Sequence, residues 1–158
     1  MAVFLDIPDV DLACDNAGGI VKLQIIACDA ILSVPLDIDS VITSAITLQV
    51  GASWATFKVT KKFIQFQESQ ETDNKHGDYF SQNLVFSIAK DDSSRTELRK
   101  VLRNNYVAVL YTDTNGLTKF IPKLKIAADF TTGKVNEKNY YQYQLRYKAQ
   151  LSAFVYAI

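Results

Sequence analysis

The chain has 158 residues, enough for one domain with a sizeable core, and 48% of them are hydrophobic. Its 17 lysines and arginines balance its 17 aspartates and glutamates, so the overall charge predicts no general attraction to nucleic acid or to membranes. No apolar run approaches the ~18 residues of a membrane span, and the start has no basic segment or apolar stretch typical of a secretory signal. We therefore expect a soluble globular protein that is made in a cytoplasm.

The N-terminal third predicts an arm followed by strands. Residues 1–19 are acidic and punctuated by glycine, which indicates an arm or loop ahead of one β-rich domain at 20–158. Val21, Leu23 and Ile25 alternate with polar residues and predict the first strand. Residues 30–45 show no clean period, and no strand can be assigned to them.

The middle of the chain predicts strands on both sides of a polar loop. Two strands are expected around the Gly51 turn, at 46–49 and 54–59. Residues 67–78 are polar throughout and predict a long exposed loop. Tyr79 to Ile88 then returns as a strand.

One helix is predicted at about 92–104. Ser94 and Glu97 have the spacing of a capping box at its start. An apolar stripe at helical spacing follows, formed by Leu98, Val101 and Leu102.

Three signals after the helix predict further strands. The apolar run from Tyr106 to Tyr111 is typical of a strand that is buried on both faces. Asn115 and Gly116 predict a tight hairpin turn of the type I′ kind. Pro122, which cannot donate to a ladder, predicts an edge or a β-bulge.

The C-terminal residues predict a long final strand. From Tyr141 to Ala153 apolar and polar residues alternate without interruption. Thirteen residues would span roughly 43 Å, which is longer than a compact core of this size. Residues 154–158 are apolar on both faces, and an exposed strand of that kind promotes aggregation. We therefore expect a neighbouring subunit to cover this end.

Together these elements predict a mainly β fold. About eight strands and one helix, with no alternating βαβ pattern, indicate an antiparallel β-sandwich or a partly rolled barrel with a long C-terminal strand.

The sequence offers little for catalysis. His76 is the only histidine, and Glu71, Asp73 and Asp78 near it suggest at most a weak metal site. A solvated loop explains these residues better. A hydrolase using His76 would lack any recognisable nucleophile motif. We predict no enzyme, and no catalytic, metal or cofactor-binding residue.

Two basic regions suggest binding instead. Arg95, Arg99 and Arg103 recur every four residues and share one helix face, where like charges repel. A solvated face is the simpler interpretation, and an acidic protein partner or nucleic acid are the alternatives. The candidate subunit interface consists of these arginines together with Phe154, Tyr156 and Ile158.

The order of these elements resembles small virion proteins of tailed phages, particularly those of Bacteroidetes-type hosts. The resemblance runs from about Ala30 to the C-terminus and is carried by five features. They are the segment AILSVP, the Trp54 strand, the His-Gly-Asp-Tyr turn at 76–79, the arginine-rich helix with the VAVLYTDTNG hairpin at 107–116, and the tyrosine-rich terminal strand.

The resemblance implies a structural role in the tail or neck. Such proteins are β-sandwiches with one helix and long hairpins that assemble as rings, usually of six. It implies a tail-tube, terminator or head–tail connector subunit of the virion, assembled in the host cytoplasm beside other tail and neck proteins, with genome DNA met only in the lumen. Tube lumens are typically acidic, whereas the arginine stripe here is basic.

Two functions follow as hypotheses. The first is a non-enzymatic virion component that forms a homo-oligomeric ring through edge strands and its long C-terminal strand. The second is a β-barrel module that binds single-stranded nucleic acid or a small ligand on a tyrosine-rich surface, with Arg146 and Lys148 on the strand. Tyr141, Tyr143 and Tyr147 share a face with leucines, however, and core packing explains them better.

Overall fold

The structure is a computed structural model, and it describes six ranges of the chain: 19–35, 41–57, 64–75, 77–89, 93–131 and 140–157. Except for Gly19, the arm predicted for 1–19 lies outside these ranges. The side chains at 88–89, 93–98, 129–131 and 140–141 are likewise outside the description.

The described residues form eleven strands, one α-helix and one short 3-10 helix. The strands are β1 (Ile20–Ala27), β2 (Ile31–Ser33), β3 (Val41–Ile42), β4 (Thr47–Leu48), β5 (Ala55–Phe57), β6 (Gln65–Asp73), β7 (Gly77–Ala89), β8 (Val107–Asp113), β9 (Thr118–Thr131), β10 (Tyr140–Ala149) and β11 (Phe154–Tyr156). The helix α1 spans Ser93–Asn104, and the 3-10 helix spans Cys28–Ala30. The fold class is confirmed as mainly β with one helix. The strands beyond the expected eight are pieces of two or three residues, too short to leave a period in the sequence.

One long strand, β9, joins two sheets. The order is β5-β1-β8-β9-β10-β7-β6, and neighbours along this path are antiparallel. Residues 118–124 of β9 pair with β8, and residues 125–131 pair with β10. β11 also pairs with the first half of β9, and β3 pairs parallel to β11. β5 and β6 lie at the two ends of this path and do not pair with each other, so the sheet is not closed into a barrel.

The bend in β9 follows from Pro122. The register with β8 shifts between Val107 and Val109, which places Pro122 and Lys123 opposite a single residue, Ala108. This is the geometry of a β-bulge, and it confirms the prediction made from proline. Cys28, half-buried, donates through Sγ to the Pro122 carbonyl at 3.4 Å. Bulges increase local twist, so the strand leaves the first sheet here and continues into the second.

The first sheet is covered on both faces. Between the two sheets lies a core that includes Leu23, Val109 and Leu145. On the opposite face of the first sheet a second cluster includes Ala108, Phe120 and Phe154, with Trp54 edge-on to Phe120 at 6.4 Å. This confirms the prediction for β8, because its consecutive residues alternate between two apolar clusters.

The helix lies where it was predicted, and part of the predicted apolar stripe is buried. Leu102 is buried in the core between the sheets, but Val101 is 45% exposed. Asn105 closes the C-terminus, donating from its backbone N and its Nδ2 to the Val101 carbonyl at 3.1 and 3.0 Å. The predicted capping box of Ser94 and Glu97 and the side chain of Leu98 lie outside the described side chains, so of the predicted stripe Leu102 is buried and Val101 is not.

The hairpin loop after β8 is not the predicted type I′ turn. Asp113 N donates to Leu117 O, and Gly116 N donates to Asp113 O, so three residues form the loop. Gly116 has φ of 83°, and Asp113 Oδ1 accepts from Asn115 N and Leu117 N at 2.8 and 2.9 Å. A three-residue loop with glycine in the left-handed region replaces the two-residue type I′ turn. The aspartate side chain, which holds two amides, selects the longer loop.

The predicted loop at 67–78 is wrong. β6 continues to Asp73 and β7 begins at Gly77, so most of this polar segment is a β-hairpin. The exposure was predicted correctly, since every residue from 67 to 75 is exposed. A strand with water on both faces has no apolar alternation, and the period-two signal is therefore absent.

The single long C-terminal strand is also corrected. β10 ends at Ala149, residues 150–153 form a bend, and β11 crosses to the first sheet. The alternation holds within β10, where Tyr143 and Leu145 are buried and Arg146 and Lys148 are exposed. Phe154 is only 3% exposed because the chain's own Phe120 and Ile42 pack in the same cluster. The described end of the chain needs no neighbour to cover Phe154.

Candidate functional site: an exposed hairpin and a basic sheet face

The tip of the hairpin formed by β6 and β7 extends beyond the packed part of the fold, because β7 pairs with β10 only from Phe80 onward. Phe66, near its base, contacts the ring of Tyr111 at 5.2 Å between centroids. Beyond Phe66, residues 67–75 are exposed. A two-stranded ribbon in water has little stability of its own, because its faces bury almost no apolar area. Side-chain hydrogen bonds must supply part of its order.

Those hydrogen bonds are present along the hairpin. Tyr79 donates through its hydroxyl to Glu71 Oε2 at 2.6 Å, and Thr72 Oγ1 donates to Asp78 Oδ1 at 2.8 Å. The bond to the Glu71 carboxylate raises the pKa of Tyr79. Asp73 Oδ1 accepts from Lys75 N at 2.9 Å and orders the turn.

At the base, Glu68 ties the hairpin to the C-terminal bend. Its Oε2 accepts from Gln82 Nε2 at 2.8 Å and from the backbone N of Ala153 at 2.9 Å. Gln82 is buried, and its Oε1 has no hydrogen-bond partner among the described residues. Glu68 therefore fixes the position at which the hairpin leaves the core.

The outer edge of β6 is open to another strand. β6 pairs with β7 through nine consecutive residues without a register shift, and β7 is its only partner in the sheet order of the described residues. Natural edge strands are commonly protected by lysine, proline or a bulge. β6 contains neither of these residue types and no bulge; its charges are Glu68, Glu71 and Asp73. This edge can accept a strand that brings neutral or positive charge.

The two ends of β7 carry opposite charge. The sequence from 71 to 78, at the hairpin tip, has three carboxylates and one lysine. The sequence from 90 to 103, which follows β7 and includes most of the helix, has five cations and three acidic residues, with four of the cations between 95 and 103. β7 has 13 residues, and at roughly 3.3 Å per residue such a strand separates its ends by about 43 Å. The chain is neutral overall, but acidic residues are concentrated at one end of β7 and basic residues beyond the other.

A second surface lies on the outward face of β10, β7 and β6. It is concave, with a volume of about 790 Å³, and its outward side chains are uncharged polar groups and cations: Gln67, Ser69, Ser81, Asn83, Arg146 and Lys148. In the amide orientation that satisfies its neighbours, the Gln144 oxygen accepts from Arg146 Nη2 at 2.6 Å. The guanidinium is thereby held on this face.

Lysines and tyrosines extend this face toward β9 and β8. Lys125 is the register partner of Arg146. The Lys125 and Lys123 ammonium groups lie 4.7 and 4.3 Å from the centroid of the Tyr106 ring, and Lys148 lies 5.1 Å from the Tyr79 ring. These are cation–π distances. Four cations on β9 and β10 are therefore flanked by two tyrosine rings, Tyr106 and Tyr79.

The residues predicted as a subunit interface lie in different environments. Arg103 is exposed and Arg99 is half-buried, while the side chain of Arg95 is outside the description. Phe154 is buried and Tyr156 is half-buried, and Ile158 lies outside the described residues. Phe154 therefore serves the core, and the structure does not bring it together with the arginines on one surface.

The tyrosines expected to face a ligand in the binding-module hypothesis are also placed inward. Tyr143 is fully buried and packs 5.3 Å from Phe86, and Tyr147 packs against the core between the sheets. The sequence reasoning missed Tyr106, Lys123 and Lys125. The spacing of the two lysines, two apart on a strand, was the available signal, but the partner ring comes from another strand.

Three further features bear on metal binding, catalysis and membrane insertion. Within the described ranges no three His, Cys, Asp or Glu side chains converge as a metal site. His76, on which the hydrolase hypothesis depended, is outside those ranges. No helix of the described part has the length and apolar character of a membrane span.

Comparison with known proteins gives no relative. Scans of the chain against protein-family models, curated proteins and solved structures found no match.

Proposed function

We propose that this protein is a non-enzymatic structural subunit that assembles with copies of itself, head to tail. The acidic β6–β7 hairpin of one copy contacts the basic face of α1, with Arg99 and Arg103, on the next. The observation that carries this proposal is the hairpin: its β6 strand is exposed from residue 67 onward, no described strand pairs with its outer edge, and its tip is opposite in charge to the helix after β7.

Physical reasons favour contact over a free hairpin. An unpaired strand edge leaves backbone donors and acceptors facing water, and a second chain can satisfy them by strand addition. Ordering an exposed ribbon costs conformational entropy that its own contacts barely offset. Docking on a neighbour supplies the missing contacts.

The charges favour a head-to-tail arrangement over a two-fold one. If two β6 edges paired with each other, Glu68, Glu71 and Asp73 of both copies would lie together and repel. Contact between an acidic end and a basic end joins different surfaces of the two copies. Such a heterologous contact repeats, and it closes into a ring or continues as a tube.

The resemblance to small virion proteins of tailed phages supports a place for this assembly. We propose a ring, usually of six in such proteins, in the tail or neck of a virion, as a tail-tube, terminator or connector subunit beside other tail and neck proteins. Genome DNA would pass only through its lumen.

Light scattering behind size exclusion, with negative-stain images of the same fractions, tests self-assembly. We expect rings or short tubes whose mass falls as salt rises, because exposed charge pairs are screened. A monomer at all salt and protein concentrations would contradict the proposal.

A charge-reversal cycle tests the two contacting surfaces. Glu71→Lys and Arg103→Glu alone should each raise the concentration needed for assembly by about fivefold, since exposed ion pairs contribute up to about 1 kcal/mol. Combined in one chain, they should restore assembly, because the opposite charges then meet again. Lys22→Glu, on β1, is the control and should leave assembly unchanged. Additive losses in the double variant would exclude contact between the hairpin and α1.

A further inference from the structure

A second binding surface is formed by residues that the assembly does not use. It consists of Tyr106, Lys123, Lys125, Arg146, Lys148 and Tyr79, which follow one another across β8, β9, β10 and β7. We call these six residues the basic track. One end of the track reaches the hairpin tip, where Tyr79 and Lys148 share a pocket with Asp73 and Asp78.

The strand register makes the track continuous. Lys125 and Arg146 are cross-strand partners, so their side chains share the outward face. Arg146 and Lys148 are two residues apart on β10 and also share that face. Lys148 is opposite Ser81 of β7, two residues from Tyr79.

The cations of the track are not neutralised within the described chain. No carboxylate of the described residues forms an ion pair with Lys123, Lys125, Arg146 or Lys148; Lys123, Lys125 and Lys148 lie over tyrosine rings. Carboxylates are near only at the far end, where Glu71 accepts from the Tyr79 hydroxyl and Asp73 and Asp78 line the same pocket as Lys148. Lys125, Arg146 and Lys148 share one sheet face, and Lys123 lies beside them, over Tyr106 and 5.3 Å from the inward-packed ring of Tyr147. These four charges create a local positive field although the chain is neutral overall.

The two tyrosines of the track indicate that its ligand carries flat rings as well as negative charge. Tyr106 is 41% exposed although it stands immediately before a buried strand, and Tyr79 is half-exposed at the other end. A surface on which four cations lie between two accessible aromatic rings suits a ligand that carries both anions and flat rings. Single-stranded nucleic acid has this pattern, because phosphates contact the cations and bases stack on the rings.

We infer that the basic track binds single-stranded nucleic acid without sequence preference. Uncharged neighbours on the same concave face, Gln67, Ser81 and Asn83, add hydrogen-bonding groups that accept any base or sugar. An acidic polypeptide would match the four cations but would leave the tyrosines unused. A duplex hides its base faces and would not stack on them.

Fluorescence anisotropy with a labelled 20-mer of deoxythymidine tests the inference on the full chain. Four phosphate contacts predict a slope of log affinity against log salt of about −3, or roughly a 50-fold loss of affinity between 50 and 200 mM salt. The variant R146A/K148A should reduce that slope by about half. Tyr106→Ala should weaken binding about tenfold through lost stacking, whereas Tyr106→Phe should bind like the wild type.

The matched control is K22A/K119A, which removes the same charge from the first sheet, outside the track. It should leave binding unchanged. Circular dichroism and urea midpoints confirm that each variant is folded, and light scattering at the assay concentration separates binding from assembly.

Three outcomes would overturn the inference. No binding at 50 mM salt is the first. Equal losses in K22A/K119A and R146A/K148A would indicate general charge attraction only. Binding of polyglutamate as tightly as the oligonucleotide, with Tyr106→Ala unaffected, would assign the surface to an acidic polypeptide.

Discussion

Strands β8 and β6 belong to the same sandwich, yet they face opposite conditions. In β8, the five residues from Val107 to Tyr111 are buried, with apolar clusters on both faces. In β6, only Phe66 of nine residues is even half-buried. The two strands meet where the rings of Phe66 and Tyr111 pack with centroids 5.2 Å apart.

The contrast separates stability from function. Burial on both faces makes β8 and its neighbours the source of the hydrophobic free energy of folding. β6 contributes little of this energy, and its edge and charges are therefore available for contact with other molecules. Substitutions in the two regions should change different properties.

The largest expected difference concerns a buried aromatic residue of the first sheet. Phe154→Ala should lower the free energy of unfolding by about 3–5 kcal/mol, because it empties a site in a packed core. Gln70→Ala, on the exposed hairpin, should change it by less than about 0.5 kcal/mol. Urea unfolding measures both. Equal small effects would mean that the first sheet is not packed as described.

Because Phe154 is part of the core, truncation of the C-terminus is not a clean test of assembly. Truncation of residues 154–158 would remove Phe154 from the core and destabilise the subunit. A loss of rings in such a truncation would therefore not identify an interface, whereas charge reversal at Glu71 or Arg103 leaves the core intact.

Tyr111, at the contact of the two strands, predicts a loss of stability in alkali. Burial, and then the charges of Glu68 and Asp113, raise its pKa well above the usual value. The hydroxyl is neutral in both states below about pH 10. Above that pH the unfolded chain loses the proton and the folded chain keeps it, so stability falls by up to about 1.4 kcal/mol per pH unit.

Urea midpoints between pH 8 and 11 measure this effect. The Tyr111→Phe variant should show a shallower decline than the wild type, because phenylalanine has no proton to lose. Parallel curves for the two proteins would show that Tyr111 is accessible to water in the folded state.

The two hairpin glycines should differ in where their substitution acts rather than in how much it costs. Gly116 and Gly77 have φ of 83° and 76°, and a Cβ at either would meet nothing within 4 Å, so alanine adds only backbone strain. Gly116→Ala should lower global stability by about 1–2 kcal/mol, since its hairpin belongs to the buried sheet. Gly77→Ala should instead open the exposed tip locally.

Hydrogen exchange distinguishes these two responses. Faster exchange throughout β8 is expected for Gly116→Ala, and faster exchange confined to β6 and the start of β7 for Gly77→Ala. A global effect of Gly77→Ala would show that the hairpin folds as one unit with the core.

The sequence predicted elements whose signals are local. The helix, the bulge at Pro122 and the doubly buried β8 each follow from a few adjacent residues. The alternation of β10 likewise predicted which side faces the core. The prediction failed for the exposed strand β6, because polar residues on both faces of a strand produce no period-two pattern.

The remaining errors concern contacts between distant parts of the chain. Phe154 belongs with Phe120, and no local pattern indicates that the chain bends at 150–153 to bring them together. The basic track was missed for the same reason, since Tyr106 and Lys123 meet only through the pairing of β8 with β9. The charge difference along β7 was readable in sequence once β7 was known to run from 77 to 89.

The central claim is that the exposed hairpin is ordered by a neighbouring copy. Hydrogen–deuterium exchange of the backbone amides in β6, β8 and α1, at dilute and concentrated protein, tests it most directly. We expect protection of residues 65–73 and of the exposed face of α1 to rise with concentration, while β8 stays fully protected in both. Exchange in β6 and α1 that is fast and independent of concentration, at concentrations where light scattering is also measured, would contradict head-to-tail assembly.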